Sequence, residues 1–314
     1  MKNNIWNLIN DSSSILVLTH ESPDGDAIGS AMAMYYLLKS LNKNVDVVIP
    51  EFPETFYYLN DVSKICKSSN KNYDLCIVVD CASEARIGQT NDEFTRCKKR
   101  IIIDHHISND NYGDINLVEA NVSSCCQVIY YLFKDLHVEI TKEIGEALIS
   151  GCLTDTNGFR NNDVDKNTFL MAAELMDSGI DFHQIYYLAI SKKNMAQYLL
   201  MKMTLDRLEM FADGKIAFSY ISHEDMENVG AKQGDHEGLV DLGRYIGGVE
   251  VSVFMREEDE YRISLRSNGK VNVNEIAKKF GGGGHKMAAG AKIQGEFKET
   301  KDRIINEIIK ELNQ

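Results

Sequence analysis

The sequence has no apolar run of the roughly 18–20 residues that a membrane-spanning helix needs, so no membrane span is expected. Its first residues, M-K-N-N-I-W-N-L-I-N-D, lack the apolar core and small-residue cleavage site of a secretory leader. Its seven cysteines (66, 76, 81, 97, 125, 126 and 152) are odd in number and include no C-x-x-C pair. Several lie inside apolar stretches, as Cys76 does in L-C-I-V-V. Reduced thiols packed as small hydrophobes are therefore expected rather than disulfides or a zinc site. These absences together predict a cytoplasmic protein. Positive charge is also scarce: 34 Lys and Arg against 47 Asp and Glu leave a net charge of −13. That balance argues against a surface that grips long nucleic acid. It does not exclude a short nucleotide held locally, with cations in the site offsetting the acids. No low-complexity linker or internal repeat is visible.

What is present is an ordinary globular composition, 44% hydrophobic and 26% charged. At 314 residues the chain is long for one core, and two domains are expected. The expected division is a first domain over residues 1–190, a connecting helix or linker over 191–210, and a second domain over 211–314. Residues 15–19, 45–49, 75–79 and 101–103 read as short buried strands, with an Ala/Met/Leu-rich helix over 27–41 and further helices over 122–136 and 141–153. Strands alternating with helices predict an α/β fold, a doubly wound and mostly parallel sheet. In the second domain, 215–221 reads as a strand, 249–256 and 261–266 as a hairpin, 273–280 as a helix and 298–312 as an amphipathic helix.

In such sheets ligands bind beyond the carboxyl ends of the strands. His20 follows the first strand, Asp80 the third, and Asp104, His105 and His106 the fourth, in I-I-I-D-H-H. Three strand ends thus deliver acids and imidazoles to one rim. Asp24 and Asp26 lie in the loop after the first strand, H-E-S-P-D-G-D. Asp26 is also placed to cap the following helix, whereas Asp24 has no evident structural role. Asp155, in T-D-T-N-G-F, fits either the rim or a simple Asx turn. Ser123 and Ser124 open the helix over 122–136 and fit either a phosphate at its N-terminus or plain capping.

His20, Asp24, Asp26, Asp80, His105 and Asp155 make a set of converging nitrogen and oxygen donors. Four carboxylates in one cleft repel each other unless cations intervene. Two divalent ions would neutralise them, and the carboxylate share of the donor set favours Mn²⁺. In the second domain, Y-R-I-S-L-R-S alternates so that Arg262, Ser264 and Arg266 share one face. That face is either solvated or binds a ligand. The run G-G-G-G-H over 281–285 exceeds what one helix cap needs. It permits close backbone approach to a ligand, or an anion nest of successive N–H groups, or merely a flexible loop.

T-H-E-S-P-D-G-D-A-I-G-S, V-V-D, I-D-H-H and L-T-D-T-N-G-F, in that order, resemble the motifs of the DHH phosphoesterase family. The stretch from Arg266 to Gly290, with L-R-S and G-G-G-G-H-K-M-A-A-G, resembles its DHH-associated C-terminal domain. Among branches of the family, the compact length is most similar to the NrnA-type nanoRNase/pAp phosphatases. The resemblance implies a smaller second α/β domain across a cleft from the first, and two divalent ions. One ion would be held by His20, Asp24 and Asp80, the other by Asp26, Asp80, His105 and Asp155. His106, Asp80 and Asp104 would form the catalytic set: His106 touching the scissile phosphate, Asp80 bridging the ions, Asp104 orienting its neighbours. Arg266, Ser267, Gly282, Gly283, Gly284 and His285, with Ser123 and Ser124, would bind the rest of the substrate.

The implied function is metal-dependent hydrolysis of short oligoribonucleotides to mononucleotides, and of 3′-phosphoadenosine 5′-phosphate (pAp) to AMP. The implied partners are short RNA and small nucleotides, and a second copy of the chain in a homodimer. Cyclic or linear dinucleotides (c-di-AMP, pApA, pGpG) are the alternative substrates. Family II inorganic pyrophosphatase shares the N-terminal motifs, but its C-terminal domain encloses pyrophosphate with basic residues where this chain has G-G-G-G-H. A non-catalytic nucleotide-binding protein should have lost donors, and none of the six is missing.

Overall fold

The structure is a computed structural model that describes residues 2–232 and 234–313. It divides into two compact units, Met1–Lys192 and Lys193–Gln314. No described helix is long and apolar enough to cross a membrane. All seven cysteines are free thiols, six of them buried.

The first unit begins with α1 (Lys2–Asp11), β1 (Ser14–Leu18), α2 (Gly25–Ser40), β2 (Asn44–Val47) and β3 (Leu75–Val79). It continues through α3 (Asn91–Thr95), β4 (Lys99–Asp104), β5 (Ile115–Val118), α4 (Cys125–Asp135) and α5 (Lys142–Asp155). It closes with α6 (Lys166–Met176), α7 (Phe182–Tyr186) and a wide turn at Tyr187–Ser191. Its five strands are all parallel, in the order β2-β1-β3-β4-β5. S-I-L-V-L, L-C-I-V-V and K-R-I-I-I-D are apolar without alternation because helices cover both faces of a parallel sheet.

Chain order reverses at β1, which pairs with β2 on one side and β3 on the other. The crevice outside the carboxyl ends of β1 and β3 is the switch point where doubly wound sheets bind ligands. Helix α2 is buried along almost its whole length, sandwiched between the sheet and α5. The crossing is close: a Cβ on Gly29 would stand 2.5 Å from the Ala147 carbonyl oxygen, and one on Gly151 would stand 3.1 Å from the Asp26 Cα. Only glycine allows backbones to approach so nearly.

The second unit comprises α8 (Met195–Asp206), β6 (Glu209–Phe211), β7 (Ile216–Ile221), α9 (His223–Asn228), α10 (Leu239–Arg244) and β8 (Val251–Glu257). These are followed by β9 (Tyr261–Ser267), α11 (Val273–Lys279), β10 (Gly283–Gly284), β11 (Ala288–Ile293) and α12 (Phe297–Leu312). The six-stranded sheet runs β10-β11-β9-β8-β7-β6, antiparallel except between β7 and β8. Ile263 and Leu265 point to a core shared with Val253, Ile276 and Ile304, so the alternation read in β9 holds. On the other face Phe254 packs with Leu200 of α8 and Leu239 and Val240 of α10. Helix α8, within the stretch expected to connect the domains, thus belongs to the second unit's core. The hairpin of β8 and β9 forms as expected. Helix α1 and strands β5 and β11 were not anticipated. Strand β11, A-A-G-A-K-I, is composed of poor strand formers and exists because β9 and β10 pair with it on either side.

Candidate metal centre

The strand ends place His20 after β1, Asp80 after β3, and His105 and His106 after β4. Asp26 lies in the first turn of α2 and Asp155 at the last turn of α5. Three donor groups result, each with ligand atoms within 4.8 Å of one another: His20, Asp24 and Asp80; Asp26, His105 and Asp155; Asp80, His105 and His106. His105 Nε2 faces Asp155 Oδ2 at 3.5 Å, Asp80 Oδ1 at 3.6 Å and Asp26 Oδ2 at 3.9 Å. His20 Nε2 stands 3.7 Å from Asp80 Oδ2. These separations exceed hydrogen-bond length. They approach the spacing of about 3 to 3.5 Å between two ligands that each lie about 2.1 Å from one ion.

Asp80 supplies the sharpest test of fit. Its side chain is almost fully buried, yet Oδ1 has no hydrogen-bond donor. An unpaired buried carboxylate oxygen is costly. Its residue also holds a left-handed backbone, φ +54°, fixed by the Asp80 N–H donating to the Ile103 carbonyl at 3.0 Å. Strain and an orphaned oxygen at one residue are features of a carboxylate shaped to ligate a metal. Burial pushes the Asp80 carboxyl far above its ordinary value, and Asp26, Asp24, Asp155 and Asp104 add to the shift. Asp155 rises strongly for the same reasons, burial first and then Asp26, Asp24 and Asp163. Burial also raises Asp26, against the pull of His105 and the Cys126 amide. The acids therefore repel one another, and cations between them would remove the cost. The donor set fits divalent metal.

The surroundings orient the donors. His20 Nδ1 donates to the Glu21 carbonyl at 2.7 Å, which leaves Nε2 turned toward Asp80, and burial lowers the imidazole's proton affinity. Asp26 accepts from the backbone amides of Cys125 (2.6 Å) and Cys126 (3.0 Å), the first two residues of α4. The positive end of that helix thus stabilises a site carboxylate. His106 Nδ1 bonds Asp104 Oδ1 at 2.8 Å, so that nitrogen is committed to Asp104 although it lies 3.7 Å from Asp80. Asp104 is fully buried. Burial alone would raise it, but the bonds and charge from His106 and the amide of Asn109 hold it below its ordinary value. It orients His106 rather than joining the metal donors.

Several expectations are corrected. Asp24, not Asp26, caps α2: its Oδ1 accepts from the amides of Asp26 (3.0 Å) and Ala27 (3.2 Å). Asp26 faces the rim instead. Ser123 and Ser124 are fully buried and do not reach a substrate. Ser123 Oγ donates to Gln127 Oε1 at 2.7 Å, and Ser124 Oγ accepts the Gln127 amide at 3.1 Å. With Asp26 on the first amides, no phosphate fits that helix start. Asp155 ends α5 rather than making an Asx turn, and its main-chain oxygen is held by Asn161 Nδ2 at 2.7 Å.

In the second unit, Ser267 is fully buried, its hydroxyl 3.3 Å from Glu250 Oε1 and accepting the Gly269 amide, so its side chain does not face a ligand. Arg266 is half-buried beside Asp241, Arg244 and Tyr245, and burial lowers its guanidinium. The glycine run divides. Gly281 (φ +74°) and Gly282 donate to the Lys278 and Ala277 carbonyls, a two-bond helix stop that takes two amides from the expected anion nest. A Cβ on Gly282 would stand 2.1 Å from the Gly290 oxygen, and one on Gly284 2.5 Å from the Ala288 oxygen. Both glycines close their own hairpin. Gly283 is exposed, and a Cβ there would meet only Asn274 Oδ1, at 3.8 Å. His285 is exposed beside it.

Residues 14–152 match the DHH family, N-terminal domain, a match that stops short of Asp155, and residues 213–314 match the DHHA1 domain. The chain is 31% identical over 307 residues to the bifunctional oligoribonuclease and PAP phosphatase NrnA of Thermus thermophilus, covering 95% of this chain and 90% of that protein. It is 28% identical over 321 residues to the protein of the same name from Bacillus subtilis, covering 98% and 97%. Among solved structures, an exopolyphosphatase-related protein from Bacteroides fragilis matches with a TM-score of 0.92 at 27% identity, over 98% of this chain and 95% of that one.

Proposed function

The chain belongs to the DHH family, and from that premise we propose that it is a cytoplasmic phosphoesterase that cleaves short oligoribonucleotides to mononucleotides and converts pAp to AMP. The relatives named for those two activities support the reading. The observation that carries it is the converging donor set around Asp80, whose buried Oδ1 lacks any donor. His20, Asp24 and Asp80 would hold one divalent ion, and Asp26, Asp80, His105 and Asp155 a second, with Mn²⁺ favoured by the mixed imidazole and carboxylate donors. Bound ions supply Lewis acidity to the phosphoryl group and make water a nucleophile near neutral pH. His106, held by Asp104, would donate a hydrogen bond to the phosphate as charge develops on its oxygens. Arg266, Gly283 and His285 are the second unit's proposed contacts with the remaining nucleotide. The unpaired thiols and the net charge of −13 suit a small cytosolic substrate rather than long nucleic acid.

The test is Mn²⁺-dependent turnover of 5′-phosphorylated dinucleotides to pentanucleotides, pAp, c-di-AMP and pyrophosphate. Turnover of short RNA and pAp is expected. Turnover of c-di-AMP or of pyrophosphate alone would replace this reading, and absence of any turnover would overturn it.

A further inference from the structure

Asn109 lies outside the donor set, three residues beyond His106, and has entered so far only through its bond to Asp104. Its Nδ2 donates to Asp104 Oδ2 at 2.6 Å and to the Cys81 carbonyl at 3.2 Å. Its Oδ1 accepts the Asn111 amide at 2.8 Å. These partners fix which way the amide faces, because a flip would set its oxygen against two other oxygens with no hydrogen between them. Asp104, fully buried, receives the His105 amide (2.9 Å) and His106 Nδ1 (2.8 Å) on Oδ1 and Asn109 on Oδ2. The same loop is stitched twice more to the turn after β3: the Asp110 amide donates to Ala82 at 3.0 Å and the Tyr112 hydroxyl to Cys81 at 2.9 Å. That turn is the one that carries Asp80 in its left-handed conformation.

We infer that Asn109 is a positioning residue for the reaction, orienting His106 through Asp104 and fixing its distance from Asp80 through Cys81. One amide thereby couples the carboxyl ends of β3 and β4, which bear Asp80, the donor that would be shared by both ions, and His106, the imidazole that would meet the phosphate. Without it, Asp104 Oδ2 is buried with no donor and the carboxylate is free to turn, taking His106 with it. The role in turnover rests on the proposed phosphoesterase activity, whereas the orientation of His106 does not.

Two measurements on the full chain test this. In Asn109→Ala, kcat on a 5′-phosphorylated dinucleotide should fall about 10- to 100-fold, the usual cost of losing such a support, while KM and Mn²⁺ affinity stay near those of the parent. Combined with Asp104→Asn, the losses should not add, since both act through one carboxylate. Independently of activity, ¹⁵N-histidine spectra, with His106 assigned from His106→Asn, should show Nδ1 protonated in the parent and a tautomer mixture in Asn109→Ala. Asn109→Ser, which restores a donor, should recover part of both signals. An unchanged tautomer with unchanged kcat overturns the inference, as do strictly additive losses or a fall in Mn²⁺ affinity that tracks a lowered Tm. A tautomer change in a chain that hydrolyses no nucleotide upholds the positioning of His106 and overturns only the proposed function.

Discussion

The rim of the first unit and the glycine hairpin of the second are both polar interruptions of apolar sequence, but different physics holds them. At the rim, donors separated by up to the distance from His20 to Asp155 in sequence meet in space, and their burial is unfavourable: Asp80 and Asp155 are pushed far toward the neutral acid. In the hairpin, the glycines are contiguous and two of them are demanded by backbone that passes within 2.5 Å or less of where a side chain would begin. The rim stores electrostatic cost, whereas the hairpin relieves a steric one. A buried charge without a partner therefore points to chemistry, while a glycine points first to chain closure.

Substitution at the rim should have the largest functional effect. Asp80→Asn is expected to abolish measurable turnover and Mn²⁺ binding, read by assay and calorimetry. In the metal-free protein it should raise Tm, because it removes the cost of burying, or of protonating, a carboxyl among other acids. Retained activity would remove Asp80 from its proposed bridging role, and a lowered metal-free Tm would show that the rim stores no such cost. Next, Mn²⁺ at 100 times its Kd should stabilise the parent chain by about 2.7 kcal/mol, a gain that Asp80→Asn should not show.

In the hairpin the order reverses, with stability ahead of function. Gly282→Ala should cost about 2 to 4 kcal/mol in denaturant unfolding, since backbone must move to admit the methyl. Gly283→Val should leave unfolding within about 1 kcal/mol of the parent but raise KM with Mn²⁺ affinity unchanged. A normal KM in Gly283→Val would leave the whole glycine run structural.

The smallest effect lies away from both regions. Arg207 binds Asp225 through both guanidinium nitrogens, Nη2 to Oδ1 at 2.9 Å, and holds the Asp225 carboxyl down at about 2. A carboxylate depressed in the fold stabilises it above its unfolded value, and the gain disappears as pH falls from about 4 through about 2. Arg207→Met should therefore lose about 1 to 2 kcal/mol at pH 7 and well under half of that by about pH 2, in unfolding followed across that range. An equal loss at both pH values would mean that Arg207 acts through its packing over Tyr220.

The strands that end at the rim were legible because each is an unbroken apolar run followed by an acid or imidazole. β5, I-N-L-V, was not, because half-buried residues on an edge strand carry no clear period. Among the site residues, the contribution of His20, Asp80 and His105 follows from their positions at strand ends. The cap of α2 was read at Asp26 and lies at Asp24: either can reach a free amide at the start of α2, and residue order does not say which does. Asn109 sat unnoticed in the turn-like stretch S-N-D-N, because its partners, Asp104 and the Cys81 carbonyl, lie at the end of β4 and in the turn after β3.

Residue order alone determined the parallel sheet, the six donors brought to one rim and the family resemblance, because strand direction and apolar runs are local properties. Only the tertiary structure decided that α4 turns its first amides to Asp26, that Ser123 and Ser124 are sealed beneath it, and that Gly282 and Gly284 serve the hairpin while Gly283 stays open. The Asp26 contact joins segments 99 residues apart in sequence, and the serines and glycines depend on how neighbouring backbone packs around them. The partner of a polar group is settled by which elements pack together, and local periodicity carries no information about that.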